Sequence, residues 1–160
     1  IAKFQRYCEK RDIQPVVRLN GTSDIMWENH IDFENEFPAV QFYDYTKIVK
    51  RVYKTQAKNY HLTLSYSEAN LDYASKVLKA HKDTGCNIAV VFHKHISDRF
   101  VFGEHRMGTF AGSPLLDGDK DDLRFLDAPK HIVALYAKGD AKKDRTGFVV
   151  GSTEYANQVA

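Results

Sequence analysis

The chain has 160 residues, 43% of them apolar and 28% charged, with a formal net charge of +2 and a pI near 8.5. That is the composition of an ordinary soluble globular protein, and it lacks both the ~20 consecutive apolar residues of a membrane helix and the pI above about 9 that marks a nucleic-acid surface. Its two cysteines, Cys8 and Cys86, show no CxxC or Cys/His spacing, which speaks against a disulfide scaffold or a structural zinc.

One α/β domain over residues 1–160 is expected, burying roughly 70% of its unfolded surface. Neither a signal peptide nor a targeting motif is visible, which favours the cytoplasm. The sequence opens on Ile1 in what reads as mid-helix, so a second reading of the chain is the C-terminal part of a longer protein.

Residues 2–12 place Phe4, Tyr7 and Cys8 on one helical face. Pro15 suits the entry to a strand, and residues 16–19 (VVRL) form the first, its Val-Val opening suited to burial on both faces of a parallel sheet. The run then stops at Asn20-Gly21-Thr22-Ser23-Asp24. Residues 27–37 read as a helix closed by Pro38, residues 39–44 as a second strand ending in Asp44, Thr46 and Lys47, and residues 46–55 as a helix with Lys50, Arg51 and Lys54 outward.

A third strand spans 59–65 and gives way to Ser65, Ser67 and Glu68. Ser67 or Asn70 caps the helix that follows, which runs through His81 to Gly85. Residues 87–92 (NIAVVF) are the fourth strand, ending in His93-Lys94-His95, and residues 96–114 read as an irregular loop or short hairpin. Leu115-Leu116 leads into the acidic segment 117–122, a fifth strand spans 131–137, and Lys138-Gly139 opens a tail that is basic, then apolar at 148–150, then weakly helical.

Strands every 20–30 residues or so with helices between them indicate βαβ crossovers. The fold class is therefore α/β, repeated βα units with a mainly parallel sheet, as an open sheet or a partial β/α barrel. A complete barrel needs about 250 residues. Ligands of such folds sit at the carboxyl ends of the strands. There the chain offers Arg18, Asn20, Ser23 and Asp24, then Asp44 and Lys47, then Ser65 and Glu68, and finally Lys138.

Lys47 would neutralise an anionic ligand group, with Asp24 or Glu68 as proton acceptor or ligand orienter. Arg18, Asn20, Ser23, Asp44, Ser65 and Lys138 would bind ligand. Each also has an ordinary structural role open to it: residues 20–24 as a turn and helix cap, Lys47 as a solvated helix start, Glu68 as the partner of a helix dipole. His93 and His95, with His105 as a third, and Asp117 with Asp119 are weaker metal candidates. A calcium loop fails, because its sixth and twelfth positions are Asp122 and Ala128. No GxGxxG, P-loop, HExxH or GxSxG pattern occurs.

Five blocks carry a family resemblance: residues 18–25 (RLNGTSDI), 42–47 (FYDYTK), 60–65 (YHLTLS) with Glu68, 117–119 with 122–125 (DLRF), and 137–139 with 146–149 (TGFV). The chain resembles the gene product 88 family of phage and prophage proteins, which implies a mobile-element protein without a settled activity. Longer members carry an upstream cysteine-rich segment, in an arrangement similar to partial-barrel proteins related to radical SAM enzymes, whose thiolates hold an iron–sulfur cluster. Cys8 and Cys86 cannot build a three-cysteine site by themselves.

Two functions of different class follow. One is an enzyme-like α/β domain with a polar small-molecule pocket at the strand ends. The other is a non-catalytic module for nucleic acid or a host protein, in which aromatics such as Trp27, Tyr45 and Tyr53 interleave with Lys50, Arg51 and Lys54.

Overall fold

The computed structural model describes residues 1–54, 56–93 and 108–150. Helix α1 (Ala2–Glu9) precedes β1 (Val16–Arg18), and a short α2 (Phe33–Glu36) precedes β2 (Gln41–Thr46) and β3 (Tyr60–Ser65). The long helix α3 (Leu71–Thr84) leads to β4 (Ile88–Phe92). The hairpin β5 (Thr109–Phe110) and β6 (Ser113–Asp117) follows, then β7 (Ile132–Tyr136) and β8 (Val149–Val150). Among the described residues no helix is long and apolar enough to cross a membrane.

The strands form an open sheet in the order β1-β2-β3-β4-β7-β6-β5, parallel at every pairing except the β5–β6 hairpin. Because the order advances in one direction from β1 to β4, right-handed crossovers must lay their connections on one face. The packing agrees. Alternation along β3 and β4 points Leu64, Ile88 and Val90 at that face, where Ala74, Val77 and Leu78 of α3 cover them. Toward the β1 edge the cover is Phe33, whose ring lies 4.6 Å from Phe42 and 4.5 Å from Tyr60.

The sequence cues that work for α3 are its ends. Asn70 accepts a hydrogen bond from the Tyr73 N–H at 2.9 Å, and Gly85 adopts φ +75° to close the helix. Two of the expected helices are otherwise. Residues 27–37 break into a 3-10 turn (Trp27–Asn29) and α2, the latter capped by Asp32, which accepts from the Asn35 N–H at 3.2 Å. The segment after β2 is a 3-10 turn (Val49–Tyr53), whose three residues per turn swing Arg51 inward. Leu115 and Leu116, expected to lead straight into an acidic turn, belong to β6.

β4 changes partner along its length. It pairs with β3 only at Leu64–Ile88 and Ser65–Ala89, and then with β8 at Val91–Val149 and Phe92–Val150, while β7 occupies its other edge throughout. The carboxyl ends of β3 and β4 therefore part, and the chain returning through Gly147 and Phe148 fills the opening. Gly147 permits this: its φ is +90°, and a Cβ there would lie 2.8 Å from the Ala69 backbone nitrogen. Its carbonyl accepts the Glu68 N–H at 2.7 Å.

The opposite face of the sheet carries Arg18, Tyr43, Tyr45, His61, Thr63 and Ser65 in lateral register. Residues 117–127 cross part of it, tied down by Phe125 on Tyr43 (5.9 Å between rings) and by the buried Arg124, which ion-pairs with Asp127 at 3.2 Å.

Candidate functional site

The first strand end is rigid. Asn20 donates its backbone N–H to Asp44 Oδ1 at 2.7 Å and its side-chain amide to Asp44 Oδ2 at 3.0 Å. Its own Oδ1 accepts from the Ser23 hydroxyl, the Ile25 N–H and the Trp27 indole at 2.8–3.1 Å. Asp44, fully buried, also accepts from the Tyr60 hydroxyl at 2.6 Å, and burial together with that carboxylate pushes the Tyr60 phenol far up. Asn20 and Asp44 thus hold the loop's shape from below.

Asp24 is the next anchor. One oxygen accepts from the Thr46 hydroxyl at 2.7 Å and from Arg51 at 3.0 Å, and the other accepts from the Lys47 N–H at 2.6 Å. The Arg51 guanidinium, expected to point outward, is instead wholly buried. It forks onto Glu28 at 2.8 and 2.7 Å and donates to Tyr60 at 2.8 Å. A guanidinium can be buried when its N–H groups meet a carboxylate fork; burial alone would lower the Arg51 pKa, but its hydrogen bonds to Glu28 and Tyr60 and the charge of Glu28 outweigh burial and raise it. Arg51 and Asp44 join the loops after β1 and β2 into one body.

Above this body lies a cleft of about 340 Å³ lined by Arg18, residues 20–24, residues 45–47 and Ser65. It runs into a second hollow of about 310 Å³ that shares Arg18, Tyr45 and Ser65 and adds Ala89, Val91, Leu135, Phe148 and Asp122. Each of two aromatic walls carries a cation. Arg18 sits over the Tyr45 ring at 4.7 Å and Lys47 over Phe148 at 5.1 Å.

Lys47 is exposed and has no carboxylate partner among the described residues. Arg18 meets Asp122 only at 3.5 Å, with side chains 33% and 59% exposed, a pairing that contributes little. The Tyr43 and Tyr45 hydroxyls also donate to Asp122, at 3.2 and 3.4 Å. Burial raises both phenols, Tyr45 the more.

A family model for gene product 88 matches residues 1–151, a span that includes every residue of this cleft. The chain belongs to the gene product 88 family. No curated protein and no solved structure matches it.

Within this gene product 88 fold, Arg18, Asn20, Ser23, Asp24, Lys47 and Ser65 come together around the cleft, with Asp44 beneath it. Glu68 stands three residues beyond Ser65 and is not part of the lining. Burial raises its carboxyl, offset by a hydrogen bond from Tyr66, whose own phenol burial pushes up to about 12. Lys138 lies apart at the end of β7, where it pairs with Asp119 at 2.8 Å.

Asp119 also accepts the Tyr136 N–H at 2.7 Å, and Asp117 accepts the Asp119 N–H at 3.0 Å, so both carboxylates are engaged in turns. His93 follows β4, while His95 and His105 fall outside the described residues. Among the described residues no three His, Cys, Asp or Glu side chains gather as a metal set. Cys8 is buried in α1 and Cys86 follows α3, both as free thiols.

Tyr43, Phe148 and Asp122 have no place in the expected small-molecule pocket, and Tyr45 and Arg51 are expected only in the nucleic-acid or host-protein module. Strand alternation puts Tyr43 and Tyr45 on the face of Arg18, a signal present in the sequence. Asp122 is 104 residues from Arg18, and no local pattern announces that contact.

Proposed function

We propose that this cleft binds an anionic small molecule, and that the chain is an enzyme-like ligand-binding α/β domain. The observation that carries the proposal is the pair Arg18 and Lys47, two weakly compensated cations at the mouth of one cleft whose floor is rigidly built. The exposed backbone of residues 21–23 lines the same space. In this reading Lys47 and Arg18 neutralise the ligand's charge. Ser65 supplies a hydroxyl, and Asp24 acts as a positioning residue through its grip on the Lys47 N–H. Glu68, three residues beyond Ser65 and outside the lining, with its carboxyl raised by burial, is the candidate proton acceptor. Asn20, Ser23 and Asp44 maintain the loop. Lys138, paired with Asp119, lies outside the lining and touches no ligand in this reading.

The second reading, a nucleic-acid or host-protein module, keeps the exposed Tyr53 between Lys50 and Lys54. It loses Arg51, which is buried.

Calorimetric titration with inorganic phosphate tests the proposal against the Lys47→Ala and Arg18→Ala variants. Each substitution is expected to weaken binding roughly tenfold, the equivalent of one charge-assisted hydrogen bond. Unchanged affinity in both variants would refute the assignment. Binding of oligothymidylate, lost steeply with salt and dependent on Lys50 and Lys54, would favour the second reading instead.

A further inference from the structure

The cleft's two halves differ in chemistry. One half is polar and cationic, built from Arg18, Lys47 and the exposed backbone of residues 21–23. The other is walled by Tyr45 and Phe148 and floored by Ala89, Val91 and Leu135. They are continuous through Arg18, Tyr45 and Ser65, and at about 340 and 310 Å³ together they fall within the usual range for small-molecule sites, about 300–1,000 Å³.

An inorganic anion would occupy only the first half. The second half offers π faces: the Tyr45 ring with the planar Arg18 guanidinium 4.7 Å above it, and Phe148 beside it. Rings and guanidinium planes of this kind stack on planar heterocycles. Asp122 and Ser65, both on the lining, supply an acceptor and a hydroxyl at the edge of that space. Phe148 is there for an architectural reason. The sheet opens between β3 and β4, and the strand that fills the gap carries Phe148 just before it.

We propose that the ligand is a mononucleotide, its phosphate held between Arg18 and Lys47 and its base held against Tyr45 and Phe148. The proposal rests on the anion reading above and adds the ring. Recognition involves no covalent step. The phosphate is drawn by the two cations, and the base lies against Tyr45 and Phe148 over the apolar floor of Ala89, Val91 and Leu135.

Four probes of the full chain by calorimetry separate the parts: AMP, ribose 5-phosphate, inorganic phosphate and adenosine. AMP is expected to bind roughly tenfold more tightly than ribose 5-phosphate, as one stacked base contributes. Phe148→Ala should bring AMP down to the affinity of ribose 5-phosphate and leave phosphate binding unchanged. Phe148→Leu, which preserves apolar packing without a ring, should do the same, and its thermal melt shows that the fold is retained.

Equal affinity for AMP and ribose 5-phosphate would overturn the ring site while leaving the anion reading standing. Adenosine binding as tightly as AMP would overturn the phosphate role. Failure of every phosphate-bearing probe would overturn the anion reading and this proposal with it.

Discussion

Replacing Arg51 by Met removes the buried guanidinium that joins the two loops beneath the cleft. Arg51 makes four hydrogen bonds, two to Glu28 and one each to Asp24 and Tyr60. Summed at about 1.5–3 kcal/mol per charged bond these would overstate the loss. Asp24 and Glu28 are 28% and 17% exposed, so water recovers part of what the guanidinium gave, and Asp24 keeps its bonds from Thr46 and Lys47. The expected cost is that of breaking a buried pair from one side, about 3–5 kcal/mol.

In urea, with a slope of about 2 kcal/mol/M, the midpoint should fall by about 1.5–2.5 M, and the melting temperature of a domain this size by roughly 10 °C or more. Lys50→Met, one residue away and exposed, is the control and should stay within about 0.5 kcal/mol. A midpoint shift under about 0.5 M for Arg51→Met would refute the view that this guanidinium holds the two loops together.

Thr63→Val should stabilise the protein, because the Thr63 hydroxyl is fully buried with no hydrogen-bond partner among the described residues; a gain of about 1 kcal/mol in urea melts is expected, and a loss would show that the hydroxyl is satisfied. His61 has its pKa lowered, first by burial and then by Arg124, so the unfolded chain takes up a proton near pH 6.5 that the folded chain resists. Stability should therefore decline as pH falls from about 6.5 toward the lowered folded value, and His61→Gln should flatten that stretch of the profile. Parallel profiles for the two proteins would exclude His61 as the cause.

What could be read from the sequence followed local rules. The apolar run at Val16 and Val17, the ends of α3 at Asn70 and Gly85, and the polar strand ends at residues 20–24 and 46–47 each depend on neighbours in the chain. The parallel α/β sheet followed from their spacing, and the strand ends gave the cleft's position.

A helical period of 3.6 sends Arg51 outward, but a 3-10 turn runs there, and its partners Asp24 and Glu28 lie more than 20 residues upstream, beyond the reach of any local pattern. The change of partner along β4 was hidden for a similar reason. β8 is two residues long and pairs with a strand more than 50 residues earlier. Phe148 and Asp122 reach the cleft only through such distant returns of the chain.

The central claim is that the ligand's anionic group docks at the carboxyl ends of β1 to β3. Titrating the isotopically labelled protein with inorganic phosphate, while following backbone amide resonances, tests it directly. The expected shifts gather at residues 21–24, Lys47 and Ser65, and in Lys47→Ala they require roughly tenfold more phosphate to reach the same size. Shifts confined to Lys138, Lys142 and Lys143, or spread evenly over the surface lysines, would contradict it.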